Sequence, residues 1–230
     1  MLVKSGDRII CALDFERGEE ALAMTERLKG LVGFYKVGML LYLEAGGAMV
    51  RRLIGEGHRV FLDLKFYDVP DTVGAAVRRA AAMGVSFLTV HGNKEILLRA
   101  GEAAAGRDLK VLGVTVLTSL DDTDIRGLGF PCSVEELVLQ RARWALEAGC
   151  AGVIASPREA ALLRRELGPE LLLVTPGIRP AGSAPGTHKR AATPQEALRA
   201  GADYLVIGQP IIRAAEPRAA AAAIIAELKR

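Results

Sequence analysis

Short, continuously apolar runs alternate along the chain with longer stretches in which Leu, Val and Ala recur at helical spacing. The apolar runs are RIICAL (8–13), GFYKVG (33–38), RVFLDL (59–64), SFLTVH (86–91), LKVLGVTVL (109–117), AGVIAS (151–156), LLLVTP (171–176) and DYLVIG (203–208). Most show no apolar–polar alternation, as expected of parallel strands covered on both faces. Between them, EEALAMTERLKG and SVEELVLQRARWALEAG keep one helical face apolar. Gly30 and Gly149 stand where helices should stop. Thr193-Pro194 reads as an N-cap followed by a first-turn proline, and the alanines of 219–223 read as the face of a final helix. Eight strand-like runs, each followed by a helical one, predict an α/β fold: a single (β/α)8 barrel domain over residues 1–230. A doubly wound open sheet is the alternative. No Ser/Pro/Gly-rich linker divides the chain.

In such a barrel, chemistry sits where strands end and βα loops begin. The polar residues expected there are Asp14, Lys36, Asp63, Lys65, His91, Thr118, Ser156, Arg179, Gly208 and Gln209. The stretch FLDLKFYDVPDT (61–72) places an acid and a base two residues apart in a run that reads as buried. Residues i and i+2 of a strand share a face, so Asp63 and Lys65 are expected side by side. Neighbouring strands lie about 4.8 Å apart, which brings Asp14 and Lys36 into one alternating array with them. A carboxylate beside a lysine favours its ammonium form. A structural ion-pair network closing the barrel is the plainer reading. Four ionisable groups on three successive strand ends favour function, because burying charge is costly.

TPGIRP after the seventh run and IGQP after the eighth carry glycine turns at the two strands whose loops commonly cradle phosphate. Each alone is explained by a tight turn that needs glycine. Together they favour a phosphorylated small molecule.

Composition removes other classes. Thirty Lys and Arg against twenty-seven Asp and Glu give a formal charge of +3, and the basic residues are scattered. No basic stripe for nucleic acid and no polybasic membrane anchor results. No apolar run reaches the roughly 18 residues of a membrane span, and MLVKSGDRII lacks the apolar stretch of a signal peptide. Cys11, Cys132 and Cys150 are odd in number and far apart, so free thiols in a reducing, cytoplasmic compartment are expected. His58, His91 and His188 have no metal-ligand spacing, and no glycine-rich nucleotide-cofactor motif occurs. His58 is expected in a surface loop, and His91 either at the pocket or in packing.

The chain resembles the orotidine 5′-phosphate decarboxylase family over essentially its full length. The family motif DxKxxDxPxT is matched by Asp63, Lys65, Asp68, Pro70 and Thr72; ALD (12–14), YKVG (35–38), VTVLTS (114–119) and TPGIRPAG (175–182) follow the family in order. The resemblance implies removal of CO2 from orotidine monophosphate to give UMP, without metal or organic cofactor. It implies that Lys65 protonates C6 of the pyrimidine and that Asp63 lies beside the substrate carboxylate. Asp14 and Lys36 would hold the ribose and complete the charge array, and Thr118 would contact the pyrimidine. Asp68 and Thr72 would reach into a neighbouring subunit's site, which implies a homodimer.

Two departures fall on the phosphate grip. Gln209 stands where the family usually has arginine, and His188 stands where bacterial members usually carry glutamine. Arg179 and the backbone around Gly208 are then the expected main grip, with Arg213 as a substitute one helical turn from Gln209. Two rivals remain. One is a Mg²⁺-using sugar-phosphate decarboxylase or hexulose-phosphate synthase on the same barrel. Those relatives carry a glutamate near the end of the second strand, where this chain offers Lys36-Val37-Gly38. The other is a non-catalytic nucleotide-binding barrel, suggested by Gln209.

Overall fold

The computed structural model describes residues 5–180 and 191–228. Eight parallel strands form a closed barrel in sequence order: β1 (Ile9–Ala12), β2 (Phe34–Gly38), β3 (Arg59–Phe66), β4 (Phe87–His91), β5 (Lys110–Val114), β6 (Gly152–Ile154), β7 (Leu172–Thr175) and β8 (Tyr204–Ile207). Closure is made by β1 against β8, with Ile9, Ile10 and Cys11 opposite Leu205, Val206 and Ile207. The open doubly wound sheet is thereby excluded. The helices are α1 (Gly18–Arg27), α2 (Met39–Gly55), α3 (Pro70–Ala82), α4 (Lys94–Ala104), α5 (Asp122–Gly127), α6 (Val134–Glu147), α7 (Pro157–Leu167), α8 (Pro194–Arg199), α9 (Gln209–Ile212) and α10 (Pro217–Glu227).

The continuous apolar strands serve two cores at once. In β1, Ile10 and Ala12 point into the barrel while Ile9 and Cys11 pack outward among the helices. The barrel interior is closed at the N-terminal end of the strands by an aromatic plug. Phe34, Phe87 and Tyr204 meet edge to face, with Phe87 centred 4.9 Å from Phe34 and 5.1 Å from Tyr204. Arg59 lies 4.3 Å over the Phe34 ring and donates to the Asp7 carbonyl, finishing that end. The barrel therefore opens at the opposite end, where the strands stop.

The helix boundaries follow local chemistry. Thr193 caps α8 and Ser133 caps α6, each in a reciprocal box with the glutamate three residues on. Gly149, at φ +70°, ends α6 in the left-handed conformation that glycine adopts without penalty. Two features depart from the expected pattern. The fifth run leaves the sheet at Val114 rather than 117, and α5 is an extra helix before α6, capped by an Asp121–Asp124 box. His58 lies in the loop before β3, as expected, partly exposed and with its ring edge-on to Tyr35 at 5.0 Å.

Candidate active site

At the C-terminal end of the barrel, four charges from three neighbouring strands alternate in sign. Asp14 lies two residues beyond β1, Lys36 is in the middle of β2, and Asp63 and Lys65 are in β3. Lys36 Nζ donates to Asp14 Oδ1 at 2.9 Å and lies 3.8 Å from Asp63 Oδ2. Lys65 Nζ donates to Asp63 Oδ1 at 2.9 Å. The side chains of Lys36 and Asp63 are only 12% and 13% exposed, against 30% for Lys65, so Lys65 is the more open of the two array lysines that line the cavity. Gly38 makes room for the array, since a Cβ there would fall 2.9 Å from Lys36 Nζ. Buried charges are tolerated when each is paired and hydrogen-bonded, and that condition is met here.

The expected i, i+2 pairing is achieved by an irregular backbone. Leu62 pairs with Leu88, but the next partner on β4, Val90, pairs with Phe66, so β3 carries two extra residues across the gap. Lys65 has φ +49°, and among the described residues it is the one non-glycine with positive φ. Such a conformation costs on the order of 1–3 kcal/mol and gathers at functional sites. Thr89, buried in β4, bridges the irregularity. Its hydroxyl accepts the Lys65 backbone N–H at 2.9 Å and donates to Asp63 Oδ1 at 2.9 Å. Thr89 was not foreseen from sequence, because a threonine in FLTVH reads as an ordinary β-branched strand residue.

The array forms one wall of a cavity of ≈ 470 Å³. Thr118, Arg179, Gly208 and Gln209 line the same cavity, with apolar surface from Phe61, Ile154 and Val206. This mixture of apolar walls and a few convergent polar groups suits a small-molecule site. The Arg179 backbone is held at the base of the β7–α8 connection, where its main-chain N–H donates to the Ala192 carbonyl and Ile178 forms a parallel β-bridge with Ala192. Gln209 opens the short α9, and Arg213, its C-cap, is exposed and outside the cavity lining. His188 lies outside the described residues.

Asp68 and Thr72 are exposed and do not line the cavity of their own chain. The Asp68 carboxylate accepts the Val69 N–H, and Pro70 turns the chain into α3. His91 ends β4 beside the site rather than in the lining, its ring 4.7 Å from that of exposed Tyr67. Burial pushes the His91 imidazole below its ordinary value, and the Arg141 and Lys65 cations push the same way. Ser156 caps α7. Cys11, behind the array, is no nucleophile: burial, helped by Asp14, pushes its thiol up to about 12. Among the described residues, no group of three or more His, Cys, Asp or Glu is placed to hold a metal ion, and no helix is long and apolar enough to cross a membrane.

Comparison with known proteins converges on one family. The profile of the Orotidine 5′-phosphate decarboxylase / HUMPS family matches residues 7–224. The chain is 52% identical over 222 residues to an orotidine 5′-phosphate decarboxylase of Nitrobacter winogradskyi, covering 96% of this chain and 92% of that one. It is 48% identical to one from Rhodopseudomonas palustris, covering 96% and 94%. The crystal structure of orotidine 5′-phosphate decarboxylase from Lactobacillus acidophilus superposes with a TM-score of 0.86 at 35% identity, covering 97% of this chain and all of that one.

Proposed function

The chain belongs to the Orotidine 5′-phosphate decarboxylase / HUMPS family, and we propose from this that it converts orotidine 5′-monophosphate to UMP and CO2 without metal or organic cofactor. That is the last step of de novo pyrimidine nucleotide synthesis. The observation that carries the proposal is the Asp14–Lys36–Asp63–Lys65 array on one wall of the cavity.

The chemistry follows from that wall. Breaking the bond between C6 and the carboxylate carbon releases CO2 and leaves the electron pair on C6, in the ring plane, where the π-system does not delocalise it. A fixed cation must already face that position, and Lys65, the more open of the two array lysines lining the cavity, supplies it. Lys65 then transfers a proton to C6, giving UMP, and is reprotonated from solvent. Asp63, held by Lys65, Thr89 and Lys36, is a carboxylate against which the substrate's own carboxylate is repelled; becoming neutral CO2 relieves it. Asp14 and Lys36 hold the ribose, Thr118 contacts the pyrimidine, and the phosphate is gripped by Arg179 with Gly208, Gln209 and His188. Binding energy from that remote phosphate supports reaction at C6.

The working form is a homodimer in the cytoplasm, with Asp68 and Thr72 completing the partner's site. Their exposure supports this, as does the exposed apolar surface of Met39, Leu40 and Leu43 at the start of α2 and of Tyr67 and Val69 after β3.

A Mg²⁺-dependent sugar-phosphate reaction is disfavoured by Lys36, whose ammonium occupies the place between Asp14 and Asp63. A non-catalytic barrel is disfavoured by the complete array. UMP formation from orotidine monophosphate, followed with and without EDTA, tests all three. The expected result is turnover indifferent to EDTA. EDTA-sensitive turnover of a sugar phosphate would favour the second reading, and UMP binding with no turnover the third.

A further inference from the structure

Granting that the chain decarboxylates orotidine monophosphate, we propose that Thr89 is a positioning residue that fixes the Lys65 backbone and the Asp63 carboxylate through a single hydroxyl. The polarity of its two hydrogen bonds is determined by their partners. A backbone N–H only donates and an ionised carboxylate only accepts, so the one hydroxyl proton points at Asp63 and a lone pair faces Lys65. The hydroxyl therefore has no freedom to choose, and both ends of the reacting pair are referred to one buried atom.

The irregular pairing of β3 with β4 explains why such an atom is needed. With Val90 paired to Phe66 rather than to a residue nearer Leu62, the Lys65 N–H is displaced from the regular ladder. Left without an acceptor, that N–H would have to find another, and the positive φ at Lys65 would lose its restraint. The Thr89 side chain supplies the acceptor from the strand next door. The same oxygen then hydrogen-bonds Asp63 Oδ1, the atom that also receives Lys65 Nζ. Removing the hydroxyl leaves the Asp63 carboxylate held only by the flexible side chains of Lys65 and Lys36, so carboxylate and ammonium can shift together, while Arg179, Gly208 and Gln209 keep their places in the lining.

A space-filling role for Thr89 makes a different forecast, because valine fills the same volume without the hydroxyl. The test compares wild type, Thr89→Val and Thr89→Ser for kcat and KM with orotidine monophosphate, for UMP affinity, for thermal midpoint, and for hydrogen exchange at the Lys65 amide. Thr89→Val is expected to lose about 100-fold in kcat, the scale of an ångström-sized misplacement, with KM and UMP affinity little changed and the Lys65 amide exchanging faster. Thr89→Ser is expected to restore kcat and amide protection. Should Thr89→Val fail to fold, Thr89→Ala against Thr89→Ser makes the same comparison. Wild-type kcat in the hydroxyl-free variant, or equal losses in the valine and serine variants, overturns the proposal. A wild-type protein that forms no UMP sinks the decarboxylase reading. Unchanged Lys65 amide exchange without the hydroxyl sinks the positioning role whatever the activity.

Discussion

Lys65 Nζ lies 2.9 Å from Asp63 Oδ1 across a stretch of backbone that leaves strand geometry at Lys65 itself. A regular strand would set the two residues roughly 6.6 Å apart with parallel side chains. The left-handed turn at Lys65 re-aims its side chain, so one residue carries both a cation of the array and the backbone distortion that positions it.

If Lys65 supplies both the stabilising charge and the proton, its removal should cost both effects. General acid catalysis contributes about 10²–10⁴-fold and a fixed electrostatic group about 10²–10³-fold. Lys65→Ala is therefore expected to lower kcat by about four powers of ten or more, each power being about 1.36 kcal/mol of barrier. A variant that keeps a tenth of wild-type turnover in a UMP-formation assay would remove Lys65 from this role.

The same residue separates stability from activity. Lys65→Ala and Lys65→Gly delete the same ammonium, but only alanine must hold a Cβ at φ +49°. Glycine should be the more stable of the two by about 1 kcal/mol, the left-handed penalty of about 1–2 kcal/mol less glycine's greater entropy loss on folding. Urea unfolding of both variants measures the difference. Equal midpoints would mean that the backbone at 65 relaxes once the lysine is gone.

His91 should make the fold acid-sensitive. Its folded-state pKa is depressed, chiefly by burial and then by Arg141 and Lys65, so the unfolded chain takes up the proton first as pH falls. Stability is complete above the unfolded value of about 6.5 and is lost as pH drops from there toward the folded value, at a slope of at most about 1.4 kcal/mol per pH unit. Denaturant midpoints measured from pH 8 down to pH 5 should decline less for His91→Asn than for wild type. Identical slopes would assign the acid loss to other groups.

The barrel and its four charges were legible because they follow from pattern. Continuous apolar runs mark the strands, and Asp63 and Lys36 lie within those runs, where side-chain direction is set by period two. Asp14 and Lys65 each stand one residue past a run. What stayed hidden depends on contacts between strands. Nothing in SFLTVH distinguishes Thr89 from a space-filling residue, and nothing in FLDLKF announces that Lys65 leaves the β region, since both follow from a register shift that only the paired strand reveals.

A shared active site has a distinctive signature in mixtures. Lys65→Ala and Asp68→Ala proteins are each expected to be inactive alone. In a two-fold dimer with one chain of each, one of the two sites has both groups intact. Random exchange of equal amounts should restore about a quarter of the wild-type sites. Absence of recovery, with subunit exchange verified by mass, would place Asp68 in a role within its own chain or outside catalysis.

At the proposed phosphate grip the chain departs from what the family resemblance implies, and Gln209 is the residue to test. A charged hydrogen bond to phosphate contributes about 1.5–3 kcal/mol, and a neutral amide contributes less. Gln209 lines the cavity, so an arginine at that position would face the same space. Arg213 is exposed and outside the lining, whereas Arg179 is in the lining, its backbone N–H held by the Ala192 carbonyl. Arg179 is thus the cation best placed to compensate. Gln209→Arg is expected to lower KM for orotidine monophosphate by roughly tenfold or more at unchanged kcat, the pattern of restored uniform binding. Arg213→Ala should leave kcat/KM as it was, and Arg179→Ala should raise KM sharply. A rise in KM on Gln209→Arg would mean that the pocket is fitted to glutamine, with the phosphate seated too close to Arg179 to admit a second guanidinium.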